Sequence, residues 1–403
     1  MGLIARYLFS TLSIVTSLVS CDFASTLRDT ESLSQFAQLL GNYTDVYGAL
    51  SWSQSFTLLA PSNDAMEKIP YTSLNRYFSN NETAFIRQLL QYHVLQGMIR
   101  SEMLNGDLGF YPTWLRESDG EIPVGVTGGQ RVALVRQPGD LEDVVTVVSG
   151  GGARSTVTDA NIDAENCIIH IVDSVLIPPM GWYNTSSAYD LDAASGFFTA
   201  AGSTPDNFTD VTVFAPKNSA FQRINSVWSD MGNATLRETA GYHVVPNNLL
   251  YSSDLVNGTR LNTTSGEEVT IWFFGGQTYV NSAKIVQADL LFSNGAIHVI
   301  DNVLSPNATS VLPDPQIATQ APVIAGSLVS SEIRDIPFTS YIPCLSDCPV
   351  PSSTETFMPT TTRSTRTTSA TGFAATSSGA CPGQTYAPVG LIGGVAMGIL
   401  GVI

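Results

Sequence analysis

The chain carries the same set of short blocks twice and in the same order, and this duplication constrains its fold more than any other feature. Residues 57–66 read TLLAPSNDAM, and residues 212–221 read TVFAPKNSAF. Residues 92–94 and 242–244 both read YHV, and residues 128–130 and 275–277 both read GGQ. Residues 166–173 read NCIIHIVD, against NGAIHVID at 294–301. Four matched blocks predict two copies of one module, at residues 23–179 and 180–307.

The copies differ in length. From His93 to His170 is 77 residues, whereas from His243 to His298 is 55. With GGQ as the register mark, most of the excess falls at 136–155. There Pro138-Gly139-Asp140 and Gly150-Gly151-Gly152 bracket a strand-like run, Val144–Val148. This stretch reads as a surface elaboration of copy one and as a candidate for partner specificity.

Within each copy the apolar spacing changes character. Leu33, Phe36, Ala37 and Leu40 recur at helical intervals, as do Leu191, Ala194 and Phe198. The runs around Leu58 and Val213 read as strands ending at Ala-Pro, because proline cannot donate to a ladder. Asn63-Asp64 and Asn218-Ser219 then offer helix N-caps. Residues 269–274 and 278–280 flank Gly275-Gly276, the pattern of a β-hairpin. Helices early and strands late predict an α+β module.

Both ends read as processing signals. Residues 1–20 hold one basic residue, Arg6, then an apolar run and small residues, as in a secretory signal peptide; cleavage after Ser20 and after Cys21 both remain open. Residues 308–378 are a Pro/Ser/Thr-rich linker and stalk, with 16 Ser or Thr among the 27 residues of 352–378. Small residues at 377–380, a spacer and the uncharged apolar run 387–403 form a GPI-attachment signal. Ser378 is the expected attachment residue and 379–403 the propeptide; a retained tail anchor is the alternative. The expected location is the outer face of the plasma membrane or the cell wall.

Composition narrows the partners. A net charge of -17 repels phosphate backbones and excludes nucleic acid, and five cysteines are too few for a disulfide scaffold. Eight N-x-S/T sequons, at Asn42, Asn81, Asn184, Asn207, Asn233, Asn257, Asn262 and Asn307, predict heavy N-glycosylation. Cys344 and Cys348 are candidates for a local disulfide, and Cys167 for a buried thiol. No GxSxG, HExxH, EF-hand or phosphate-loop pattern occurs, so no catalytic, cofactor-binding or metal residue is expected and the chain does not read as an enzyme. All four histidines, His93, His170, His243 and His298, fall in the matched blocks. His170 and Asp173, like His298 and Asp301, are three residues apart and would face opposite sides of a strand. A structural role is expected for the histidines; partner contact or a pH switch is the alternative.

The paired blocks resemble the fasciclin domain family over about residues 23–307. The TLLAPSNDAM and TVFAPKNSAF segments resemble its first signature, NCIIHIVD and NGAIHVID its second, and Tyr92-His93 and Tyr242-His243 its central motif. The resemblance implies two β-sandwich-like wedges with packed helices, and adhesion or matrix roles without catalysis. It also links residues 96–104 and 247–255 to receptor contact. One departure is Cys167, which stands where copy two has Gly295. A cysteine replaces a glycine of positive φ only with strain, so a different local turn is expected in copy one. The implied function is cell-surface adhesion or organisation of an extracellular matrix or cell wall. The partners would be surface or matrix proteins or glycans, with membrane attachment through the GPI lipid and self-association left open. The alternative is a binding module that holds an apolar ligand or polysaccharide between the two domains.

Overall fold

The computed structural model describes residues 23–342, apart from 54, 117–119, 140–142, 165–166, 229 and 325–334. The signal segment, Cys344, Cys348, Ser378 and the C-terminal tail therefore lie outside the described residues.

Copy one opens with helices Phe23–Asp29, Ser34–Gly41 and Thr44–Trp52, and places Asn63–Glu67, Asn75–Ser79 and Thr83–Tyr92 after its first strand. Its strands are β1 (Phe56–Pro61), β2 (Val94–Gln96), β3 (Gly109–Pro112), β4 (Arg131–Gln137), β5 (Val144–Val148), β6 (Arg154–Ala164) and β7 (Cys167–Val172). Copy two repeats them as β8 (Val211–Pro216), β9 (Val244–Val245), β10 (Arg260–Asn262), β11 (Glu268–Phe274), β12 (Gln277–Val280), β13 (Ala283–Phe292) and β14 (Gly295–Ile300). Each copy forms one seven-stranded sheet, in the order β2-β1-β7-β6-β5-β4-β3 and, run the other way, β10-β11-β12-β13-β14-β8-β9. The α+β expectation and the tandem arrangement both hold.

The matched first and last blocks form the parallel pair of each sheet, one strand in from an edge. β1 lies beside β7 with Phe56 opposite Cys167, and β8 beside β14 with Val211 opposite Gly295. All four strands are buried along their whole length, which is why they read as apolar runs without alternation. Successive side chains of β1 feed two cores. Phe56, Leu58 and Ala60 meet Phe36, Leu40, Leu50 and Ile86 from the helices, while Leu59 joins Phe85, Tyr92, Val132 and Val147.

Four sequence expectations need correction. The two GGQ blocks are not equivalent: Gly275-Gly276 forms the β11–β12 turn, with φ of 57° and 73°, whereas Gly128-Gly129 precedes β4. Val144–Val148 is accordingly no added strand, since β5 occupies the sheet position of β12. The main insertion of copy one lies instead between β3 and β4, where 18 residues (113–130) replace the five (263–267) between β10 and β11. Second, Gly295 has no positive φ. A Cβ there would come 1.8 Å from the Val211 carbonyl oxygen, so its glycine answers close strand packing; the turn before Cys167 lies outside the described residues.

The third correction concerns capping. Ser62 caps Asn63–Glu67 by accepting from the Ala65 N–H at 3.1 Å. Asn63 and Asn218 instead reach an earlier helix, each accepting a backbone N–H, from Gln35 at 3.0 Å and from Ala193 at 2.9 Å. Fourth, the linker does not begin at 308. Buried Gln320 donates its N–H to Asp301 Oδ2 at 2.8 Å, and its carbonyl accepts from Arg223 Nη1 at 2.7 Å. Phe338 packs against Phe197 and Trp228. Gly196 makes this possible, because a Cβ there would sit 2.0 Å from the Phe338 carbonyl oxygen. Copy two thus gains a strap, of which 308–324 and 335–342 are among the described residues.

Candidate functional site

The segments that follow the Tyr-His turns are positioned identically in the two copies. Thr57, buried on β1, donates from Oγ1 to the Gly97 carbonyl at 2.8 Å and accepts from the Ile99 N–H at 2.8 Å. Thr212 on β8 does the same with the Asn248 carbonyl at 2.7 Å and the Leu250 N–H at 2.8 Å. On the adjacent strands, His170 Nε2 donates to the Ile99 carbonyl at 2.8 Å and His298 Nε2 to the Leu250 carbonyl at 3.0 Å. Their Nδ1 atoms accept from the N–H groups of Asn161 and Asp289, at 3.2 and 3.4 Å. Asn161 and Asp289 sit at irregular steps of β6 and β13 with φ of 60° and 65°. From there they hold the Ser101 and Ser252 N–H groups at 2.9 and 2.7 Å.

His93 and His243 serve a second joint. Each donates from Nδ1 to the carbonyl four residues back, Leu89 and Thr239, at 2.8 Å. Each accepts at Nε2 from the segment beyond the last strand, the Leu176 N–H at 3.0 Å and the Leu304 N–H at 2.9 Å. The neighbouring tyrosines tie the same helix ends to the sheet, Tyr92 to the Arg131 carbonyl at 2.9 Å and Tyr242 to the Glu268 carbonyl at 2.8 Å. A ring that both donates and accepts is neutral. Burial accordingly pushes His93 and His243 down to about 4, and it lowers His170 and His298 as well. All four histidines are buried and bonded to backbone. The carboxylates of Asp173 and Asp301 turn away to the N–H groups of Thr156 and Lys284, both at 2.8 Å. Among the described residues no group of three or more His, Cys, Asp or Glu could hold a metal ion. Cys167 is buried, and burial pushes its thiol up to about 12, which leaves it inert as a nucleophile.

The C-terminal part of the insertion, 125–130, packs against copy two. The Gly125 N–H donates to the Ser293 carbonyl at 2.9 Å, and the Gly125 carbonyl accepts from the Asp210 N–H at 2.8 Å. The Thr127 N–H donates to Asp210 Oδ1 at 2.7 Å, and Gln130 Nε2 to the Ser293 carbonyl at 3.1 Å. Phe110 on β3 stacks on Tyr251, with ring centroids 3.6 Å apart, beside Leu249 and Leu291. The Gly150 N–H of the former insertion candidate meets the Ile177 carbonyl at 2.7 Å, at the start of the connection between copies. The part of the seam described here is therefore filled by protein.

This seam makes the two motif-linked segments unequal. In 247–255, Leu249 and Tyr251 pack into the joint, and the residues left exposed, Asn247, Asn248, Ser252, Ser253 and Asp254, are all polar. In 96–104, Met98 and Met103 are 39% and 67% exposed, and Glu102 is exposed with them. Thr57 and Thr212 were legible as the first residues of a matched block but carried no functional signal there. Asn161 and Asp289 were not legible, because an irregular step leaves no periodic trace. All eight sequon asparagines are exposed.

A fasciclin domain model matches the chain twice, at residues 31–178 and 186–306. The chain is 29% identical to a fasciclin-like arabinogalactan protein of Arthroderma benhamiae, over 80% of this chain and 74% of that protein. It is 24% identical to the transforming growth factor-beta-induced protein ig-h3 of Oryctolagus cuniculus, over 64% of this chain and 34% of that one. Among solved structures, a FAS1 domain pair from the insect cell adhesion molecule Fasciclin I covers 68% of this chain and 97% of its own length. It is 18% identical, with a TM-score of 0.34.

Proposed function

From the premise that this chain belongs to the fasciclin domain family, we propose that it is a cell-surface glycoprotein of adhesion or of matrix and cell-wall organisation, and that it binds through its first domain. The observation that carries the reading is the inequality of the two loops. Copy two spends Leu249 and Tyr251 on the seam, while copy one leaves Met98, Glu102 and Met103 open on a loop pinned by Thr57 and His170. Loops held on a rigid scaffold are common contact elements, and unbranched apolar methionines adapt to a partner. Sugars on Asn184, Asn207, Asn233, Asn257 and Asn262 would shield copy two, whereas copy one has sequons only at Asn42 and Asn81.

The remaining parts of the proposal concern delivery. The signal segment 1–20 would send the chain into the secretory pathway, and a lipid on Ser378 would hold it at the outer surface. The histidines act within the fold, and no catalytic role is assigned to them. The alternative of a ligand between the domains gains no support from the seam, where Phe110 and Tyr251 occupy the joint. The test is to display the secreted protein on beads and measure retention of cell-surface and matrix extracts. Met103→Glu is expected to abolish retention with an unchanged melting curve. Full retention by that variant would remove the loop from the contact.

A further inference from the structure

The outer edge of strand β11 is bonded first by β10 and then, at Ile271, by Thr259 and Gly258, at 2.9 and 2.8 Å. β10 pairs with it through Arg260 opposite Thr270, Leu261 opposite Val269 and Asn262 opposite Glu268. Beyond that point a tight turn, closed by the Thr259 N–H on the Val256 carbonyl at 3.1 Å, carries Asn257 and Gly258 at its corner. Asn257 Oδ1 accepts the Phe273 N–H at 2.8 Å. A backbone N–H can bond only to the amide oxygen, so this contact fixes the side chain and directs Nδ2 away from the strand. That nitrogen is the atom an N-linked sugar occupies, and Asn257-Gly258-Thr259 is a sequon. The same edge shows an apolar surface, with Phe273 40% exposed and Val256 61% exposed.

We propose that the N-glycan of Asn257 lies across the Phe273 ring and is a fixed cover for this exposed apolar surface. The bond from the Phe273 N–H to Asn257 starts the sugar beside the residue whose ring is bare. The first N-acetylglucosamine has an apolar C–H face and an acetyl methyl, which suit an aromatic surface. The free energy of an asparagine anchored in advance is favourable for ordering the glycan, because little rotamer freedom remains to be lost.

The inference rests on the glycoprotein reading, and the experiment separates the two. The full chain is secreted from a eukaryotic host as wild type, Thr259→Ser, Thr259→Ala and Phe273→Ala, and as both Thr259 variants combined with Phe273→Ala. Glycopeptide mass spectrometry reads occupancy at every sequon. Asn257 should be occupied in the wild type and Thr259→Ser. Loss of its glycan in Thr259→Ala should lower the melting temperature by about 2–4 °C relative to Thr259→Ser. In the Phe273→Ala background that difference should vanish. Should Thr259→Ala fail to fold, enzymatic deglycosylation of the folded wild type and Phe273→Ala supplies the same comparison. An empty Asn257 while other sequons are occupied, or an equal shift in both backgrounds, overturns the cover. Eight empty sequons overturn the glycoprotein reading itself.

Discussion

Acidification should weaken both domains well before carboxylates titrate, and His93 and His243 supply the reason. Each accepts a backbone N–H at Nε2, from Leu176 or Leu304, and protonation would turn that acceptor into a donor facing a donor. Burial holds both rings at about 4, against about 6.5 in the unfolded chain. The unfolded state therefore binds protons first as pH falls. Stability is fully present above about 6.5 and is lost progressively down to about 4. Between pH 7 and pH 5 the loss is about 2 kcal/mol per histidine, one histidine in each domain. His170 and His298 are shifted in the same direction and add to it. Burial raises Asp192 and Asp206, so these carboxyls favour the folded state as they gain protons, an opposite effect. Urea unfolding midpoints at pH 7, 6 and 5 read the sum. His93→Gln together with His243→Gln should remove about 4 kcal/mol of the pH dependence while lowering stability at pH 7. A midpoint that does not move between pH 7 and pH 5 would refute the neutral, doubly bonded histidines.

Three further outcomes follow from the packing and the tail. Gly295→Ala should destabilise copy two by about 3 kcal/mol, since its Cβ would collide with the Val211 carbonyl, and urea unfolding followed by Trp182 fluorescence measures this. Phe338→Ala should cost about 1–2 kcal/mol and raise protease sensitivity after residue 324, because the half-buried ring leaves Phe197, Phe221 and Trp228. A phosphatidylinositol-specific phospholipase C should release the protein from intact cells, and recovery of the 387–403 peptide from the retained protein would instead establish a tail anchor.

Much of the fold was legible because the parallel strands carry it in plain form. β1, β7, β8 and β14 are buried throughout, each with a single threonine or histidine in an otherwise apolar run, and coincide with two of the matched blocks, so the duplication exposed the parallel pair of each sheet. GGQ misled for a physical reason. Glycine pairs mark turns of several kinds, and three residues without flanking apolar pattern cannot say which strands a turn joins. Correcting that register moves the insertion of copy one to 113–130 and changes its meaning from free surface to docking element. The strap was hidden by composition. Proline-rich, weakly periodic sequence reads as linker, yet Gln320 and Phe338 find partners on copy two that lie about 20 to 140 residues away in sequence, and no local pattern encodes such contacts. The Tyr-His motif was visible as letters; that one histidine joins helix to sheet and the other pins a loop became evident only from their bonding partners.

The most direct test of a contact made through the first domain is amide hydrogen exchange on the secreted protein, alone and bound to the matrix or surface extract that retains it. Alone, 247–255 should exchange slowly around Tyr251, which is buried against Phe110, and the exposed tip of 96–104 should exchange faster. On binding, protection should rise at 96–104 and stay unchanged at 247–255. Protection that appears in copy two alone, with 96–104 unaltered, would contradict the account.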